Sequence, residues 1–253
     1  MRWLALLPLA GCLSMPGRPG GGSGDPDGGV DGTGDGAGAF ACLGNTAPTT
    51  AEDTIVISGA ATKVVAMSID PAADVTVEVR SGASVLDSVG PTLADGQFMT
   101  AALTVSAPLD AVLYATIPAP ATERPTLRYP PQPWVKNESS VPMLLINDSE
   151  LDNLIQPKSQ SAALGFLNVL VTDCDDNPIN GATISVKQGG SDAGEIIDTQ
   201  VLQTIIPGIY WAINVPVDDT TVVNASYQGR IFRAHTVKSI AATTTHVTVR
   251  PGF

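Results

Sequence analysis

Aromatic residues are scarce in this chain, only 5% of it, so its cores must be built from Val, Ile, Leu and Ala. Histidine is scarcer still, with two copies. That leaves little material for an imidazole general base or a histidine-rich metal centre. Basic residues are outnumbered, with 13 Lys and Arg against 25 Asp and Glu, a formal charge of −12 at pH 7. Such a surface repels phosphate backbones and excludes nucleic acid as a partner. No long apolar run offers a membrane-spanning helix, and the stretch from Trp3 to Leu9 is too short for one. Gly-x-Ser-x-Gly, His-Glu-x-x-His and phosphate-loop patterns are missing as well. The expectation is a chain with no catalytic residue and no cofactor, not an enzyme.

What is present is 43% hydrophobic content over 253 residues, enough for one or two packed domains. Residues Leu13 to Ala39 hold mostly Gly, Asp and Pro and bury almost nothing apolar, which predicts a disordered, self-repelling tether. Beyond it, short strands recur with turn residues between them. Val75, Val77 and Val79 alternate with Thr76, Glu78 and Arg80, the cleanest period-two pattern in the chain. Further strands are expected at Ile55–Ile57, Val64–Met67, Val85–Val89, Gln97–Val105, Ala111–Ile117, Thr126–Tyr129 and Val141–Ile146. In Asp148-Ser149-Glu150-Leu151-Asp152 a Ser-x-x-acid pattern predicts a helix start, with two carboxylates to meet the helix dipole. Leu151, Leu154 and Ile155 form its apolar stripe, Pro157 ends it, and its expected place is the interface between two halves.

The second half opens on Gly165–Lys187, which reads as a strand, a polar turn at Asp173–Pro178 and a second strand, a hairpin. Ile209–Val215, Thr220–Tyr227, Ile231–Val237 and Thr244–Val249 follow as strands, and Ile196–Ile206 is apolar but interrupted. The expected fold class is all-β. Two immunoglobulin-like or transthyretin-like sandwiches, at 42–147 and 164–253, are joined by a short helix and linker at 148–163.

Three resemblances add to this. Leu9-Ala10-Gly11-Cys12 behind Arg2 and the apolar run resembles the lipobox of bacterial lipoproteins. It implies that residues 1–11 are a signal peptide and that Cys12 carries diacylglycerol, a membrane anchor without a spanning helix. A plain secretory signal with a chance Cys is the alternative. The stretch before Cys12 is short for a signal, which leaves room for a start further upstream. Cleavage would remove Arg2 and take the charge to −13. Leu13, rather than Asp, follows the Cys, which in enterobacterial lipoproteins implies the outer membrane. Val169-Leu170-Val171-Thr172-Asp173, then Asn177–Val186, then Gly208-Ile209-Tyr210 and Val215-Pro216, resemble carboxypeptidase regulatory-like domains. That implies a prealbumin-type sandwich and no catalytic residue. The whole arrangement resembles myxobacterial lipoproteins of unassigned activity. With Cys12 lipidated, Cys42 and Cys174 remain as an even pair in an oxidising compartment, and a disulfide between them is expected.

Three clusters could carry chemistry. His246 should face outward, because Val247 and Val249 face the core; with His235 on a neighbouring strand it could in principle hold a metal, but surface or sheet-lining histidines are the preferred reading. Asp173, Asp175, Asp176 and Asn177 evoke calcium, yet Pro178 and Ile184 stand where an EF-hand needs Gly and Glu, so a polar turn is preferred. Trp134 beside Tyr129 and the Pro cluster could form an aromatic platform for sugar or peptide, with packing preferred for Trp134. The function expected is a lipid-anchored envelope module that is structural or engages another envelope protein or a glycan. The alternative is a carbohydrate- or peptide-binding accessory domain of a secreted hydrolase system.

Overall fold

A computed structural model describes residues 38–66, 68–197, 203 and 206–253. Cys12, the tether as far as residue 37, Met67 and most of the Ile196–Ile206 stretch lie outside the described residues. Strands β1 (Thr54–Ile55), β2 (Ile57–Val65), β3 (Ser68–Pro71), β4 (Thr76–Ser81), β5 (Ser84–Val89), β6 (Gln97–Met99), β7 (Leu103–Thr104), β8 (Val112–Thr116), β9 (Thr126–Tyr129) and β10 (Glu138–Leu145) precede helix α1 (Asp148–Ile155). Strands β11 (Gly165–Val171), β12 (Thr183–Gln188), β13 (Ser191–Asp192), β14 (Glu195–Ile197), β15 (Ile209–Val215), β16 (Asp218–Tyr227), β17 (Arg230–Ile231), β18 (His235–Ser239) and β19 (Thr244–Val249) follow. The fold is all-β, as the alternation predicts.

One eight-stranded sheet, in the order β14-β15-β11-β19-β9-β8-β4-β5, runs through both halves. Two cores lie on opposite faces of this sheet, within one compact unit rather than in separate domains. The register shows why. Leu113 and Ala115 sit opposite Arg128 and Thr126, and so share a face with His246 and Asn168 in the next strands. The sheet made of β10, β2, β3 and β6 covers that face over the first half, enclosing Ile57, Val77, Leu113, Phe98 and Met143. Leu167, Val169, Val247 and Val249 point the other way, into a core closed by β12, β13, β16, β17 and β18. The two halves are therefore joined by backbone hydrogen bonds between β9 and β19, not only by the 148–163 segment.

The structure departs from the local pattern in four ways. The Gly165–Lys187 hairpin is not formed: β11 pairs with β15 and β19, while β12 pairs with β13 and β16 in the facing sheet. The turn arches from one layer to the other, as a sandwich needs when both strands bury a face in one core. β11 is buried on both faces, because the sheet is covered on both sides there. The sheets are not wholly antiparallel; β10 with β2, β11 with β19, and β19 with β9 are parallel pairs. Ile57 begins one nine-residue strand that absorbs the separately expected Val64–Val65.

Helix α1 starts two residues earlier than its Ser-x-x-acid pattern implies. Asn147 is the N-cap and accepts from the Glu150 N–H at 2.8 Å; Ser149 lies inside the first turn. Leu151 and Ile155 pack with Val64 of β2 and with Phe166, Trp211 and Ile213 of β11 and β15. The helix thus bridges the halves, as expected. Its C-terminal neighbour Gln156 has extended ψ, the conformation Pro157 imposes on the residue before it.

Residues Cys42 and Cys174 form the expected disulfide, with Cα atoms 5.6 Å apart. The segment before Cys42 belongs to the second core rather than to a free tether. Phe40 stacks near Tyr227 and Phe232, the Ala39 carbonyl accepts from Cys174, and Leu43 bridges to Gly252. Apolar Phe40 is what ends the featureless composition, and its ring finds a core.

Candidate functional site

The polar turn is organised by one side chain. Asp173 Oδ1 accepts from the Asp175 and Asn177 N–H groups at 2.9 Å, and Oδ2 from the Asn177 amide at 3.0 Å. Its oxygens are thus committed to donors, which is what an Asx turn requires. The neighbouring Gly181 adopts φ +76°, the conformation a tight turn demands there. The Gly208-Ile209-Tyr210 stretch clamps the far side of the same turn. The Gly208 N–H donates to Asn180 Oδ1 at 2.6 Å, and the Tyr210 hydroxyl accepts from Ala182 and donates to Ile179. Burial pushes the Tyr210 phenol upward. By this geometry, Asp173, Asn180, Gly208 and Tyr210 hold the turn in shape.

Both histidines are buried, although alternation alone would leave the outward-facing His246 in water. His246 does lie opposite Val247 and Val249, but that face is covered, and His246 is buried at 7% exposure. Its ring nitrogen lies 3.0 Å from the Asn168 amide nitrogen. Because that nitrogen only donates, the imidazole accepts there and is neutral. Burial first, then the nearby Arg128 guanidinium, hold its pKa down to about 3. His235 is on β18 in the facing sheet, buried on the side of Val237, and burial with Arg233 and Arg250 lowers it to about 4. The central sheet lies between the two rings, so they do not converge on one ion. Among the described residues no group of three His, Cys, Asp or Glu side chains gathers at metal distance.

Nor does the aromatic platform form. Trp134 is 6% exposed, packs in the first core and donates its indole N–H to the Ala111 carbonyl at 2.9 Å. Tyr129 packs against the second core, on the other face of the sheet, and its hydroxyl accepts from Lys238. Burial raises its pKa.

The site that does form was not visible in the pattern. Beyond edge strand β10 the first cover sheet stops. Helix α1 covers one end of the newly bared face, at Phe166 and Trp211. The other end is left as a cleft of about 650 Å³. Its floor is Arg128 of β9, Leu170 of β11, Thr172 just beyond it and Thr248 of β19, and its walls are the Pro130–Pro142 segment, Asp176 and Arg250. Arg128 is the unusual member. It is 8% exposed, its Nε has no hydrogen-bond partner, and burial lowers its pKa to about 10 with only partial relief from Glu138. The hydroxyls of Thr172 and Thr248 are also buried without a partner. Arg250 is held in place by Gln132 at 2.6 Å and the Gly252 carbonyl at 3.2 Å, and faces Asp176 at 3.7 Å. Sequence reasoning missed Arg128 because a strand residue of this type reads as solvent-facing. Only the meeting of two cover layers shows that it is buried.

Comparison with known proteins finds no matching family and no matching characterised relative. Among solved structures, the Bacillus anthracis TIE protein aligns at 10% identity and a TM-score of 0.25, over 79% of this chain and 34% of that one. The chain thus spans about a third of that protein's length. The shaft pilin spaA of Lactobacillus rhamnosus GG aligns at 10% identity and a TM-score of 0.21, over 80% of this chain and 99% of that one. Overlays this loose carry no argument about the role of the chain.

Proposed function

We propose that this protein is a non-catalytic, lipid-anchored module of the bacterial outer membrane that holds a stiff double β-sandwich away from the lipid surface and engages an envelope protein or a glycan. The observation that carries the reading is the way the tether meets the fold. Just beyond the Gly/Asp stretch, Phe40 is packed into the second core, and Cys42 is covalently fastened to Cys174. From there the chain continues into the first half, whose strands β4, β5, β8 and β9 share one sheet with the second. Tension on the leash would pass into both halves through a covalent bond and a continuous hydrogen-bonded ladder. Flexing one half against the other would break β9–β19 hydrogen bonds. The lipobox at Leu9–Cys12 and the resemblance to carboxypeptidase regulatory-like domains support the same reading. The test is membrane fractionation with palmitate labelling of the native protein and of Cys12→Ser, followed by co-purification from detergent-solubilised envelopes. Wild type should label and sediment with outer membrane, the variant should do neither, and a stoichiometric envelope partner should co-purify. Unlabelled protein in the cytosol would refute the proposal.

A second reading, a carbohydrate- or peptide-binding accessory domain, is favoured by the cleft beside β10. Its lining is hydroxyl- and amide-rich, and it lies open at the rim.

A further inference from the structure

The cleft beside β10 poses an electrostatic problem. The chain as a whole is strongly acidic, yet this hollow gathers three cations, Arg128, Lys136 and Arg250, against two carboxylates, Glu138 and Asp176. The lining therefore carries one net positive charge. Arg250 has partners on each side. Arg128 has none of comparable quality, although it is the most buried of the three. Glu138 offsets only part of the cost of burying this guanidinium, and its Nε is left without an acceptor. An arriving carboxylate would supply an acceptor and further counter-charge, in the bidentate geometry for which guanidinium is suited.

We infer that the cleft binds a singly charged carboxylate carried on a sugar, an acidic saccharide of the uronic-acid kind, with Arg128 and Arg250 receiving the carboxylate. The charge count selects a monoanion. A dianionic phosphate would face Glu138 and Asp176 with only one net positive charge to meet it. The rest of the lining selects the body of the ligand. Asn137, Ser139 and Ser140 at the exposed rim offer partners for hydroxyls, while Leu170 and Pro133 offer an apolar surface for a sugar's C–H face. An extended peptide is disfavoured. It would have to add to the free edge of β10, where Pro142 lacks an N–H and Ser140 takes φ +62° within a break of register between Glu138 and Val141.

This assignment rests on reading the protein as an interaction module. The test is calorimetric titration of the purified, disulfide-bonded protein with the singly charged monosaccharide methyl galacturonoside, its neutral methyl ester, inorganic phosphate and a short peptide with a free C-terminal carboxylate. The galacturonoside should bind one-to-one and raise the melting temperature. The methyl ester should bind at least tenfold more weakly. Arg128→Met should lose at least tenfold in affinity while its ligand-free melting temperature holds or rises, since methionine removes a buried charge that Glu138 only partly offsets. Exposed Lys136→Glu, which turns the net charge of the lining negative, should lose at least fivefold, so the site stays testable if Arg128→Met fails to fold. Ester binding equal to the acid, tighter binding of phosphate or of the peptide, or no saturable heat with the galacturonoside at millimolar concentration would overturn the inference. Failure here with Cys12 labelled and the protein in the outer membrane sinks only the ligand. A mislocalised protein that still binds the galacturonoside sinks only the anchoring. Chemically altered galacturonoside recovered after incubation would keep the site and refute the non-catalytic reading.

Discussion

Acid should unfold this protein through its two histidines. In the unfolded chain both titrate near the ordinary value of 6.5; in the fold His235 is held at about 4 and His246 at about 3. Both folded values are depressed, so the stabilisation from keeping the rings neutral is complete above pH 6.5. It is lost as pH falls below 6.5 toward 4 and 3, because over that window only the unfolded chain takes up the protons. Each full pH unit costs about 1.4 kcal/mol per histidine, so by pH 5 each has withdrawn about 2 kcal/mol and the pair about 4 kcal/mol. Against a typical domain stability of about 5–15 kcal/mol that is a large share. Urea unfolding followed by fluorescence of the buried Trp134 and Trp211 at pH 7.5, 6.5, 5.5 and 5.0 measures it. His246→Gln and His235→Gln should each recover about half of the acid loss, and the double variant nearly all of this component. A double variant that loses as much stability between pH 7.5 and 5.0 as wild type would refute the reasoning. The cause would then lie in other groups. Asn168→Asp offers a further check: a carboxylate beside His246 should raise its pKa and flatten the acid slope.

Other perturbations test the frame. Replacing both Cys42 and Cys174 with Ala opens a loop of sequence separation 132 and should cost about 5 kcal/mol on the chain-entropy account, seen as a lowered urea midpoint. Gly59→Ala would place a Cβ 1.9 Å from the Val141 carbonyl oxygen, between parallel strands β2 and β10, and should cost about 1–3 kcal/mol in equilibrium unfolding. Leu151→Ala empties a fully buried site shared by the two halves and should cost about 2–5 kcal/mol, with faster amide exchange on both sides of α1. Asn147→Ala removes the helix cap and should cost about 1 kcal/mol, read as a shift in melting temperature.

Local pattern carried much of the fold. Val77 and Val79 alternate in burial as their spacing predicts, and β8, β9, β15 and β19 fall within or close to their expected ranges. Pro142 lies in edge strand β10, the position expected of a proline in a sheet. The candidate site was not legible in the same way. Asn168, His246 and Arg128 occupy the outward positions of alternating strands, and alternation assigns outward positions to water. They are buried because other segments, distant in sequence, arrive on that face. Trp134 and Tyr129 are five residues apart, yet they belong to cores on opposite sides of one sheet.

The chain's own order of residues determined its β character, the place of helix α1 between the two halves and the pairing of Cys42 with Cys174. The first two follow from spacing within a few residues, the third from there being two cysteines beyond residue 38. Tertiary structure alone decided which strands share a sheet, that two cores lie on opposite faces of a common ladder, and that an arginine is buried with its Nε unsatisfied where one cover layer ends. A side-chain period says which way a residue points. What stands opposite it depends on loop closures and layer contacts that span the whole molecule.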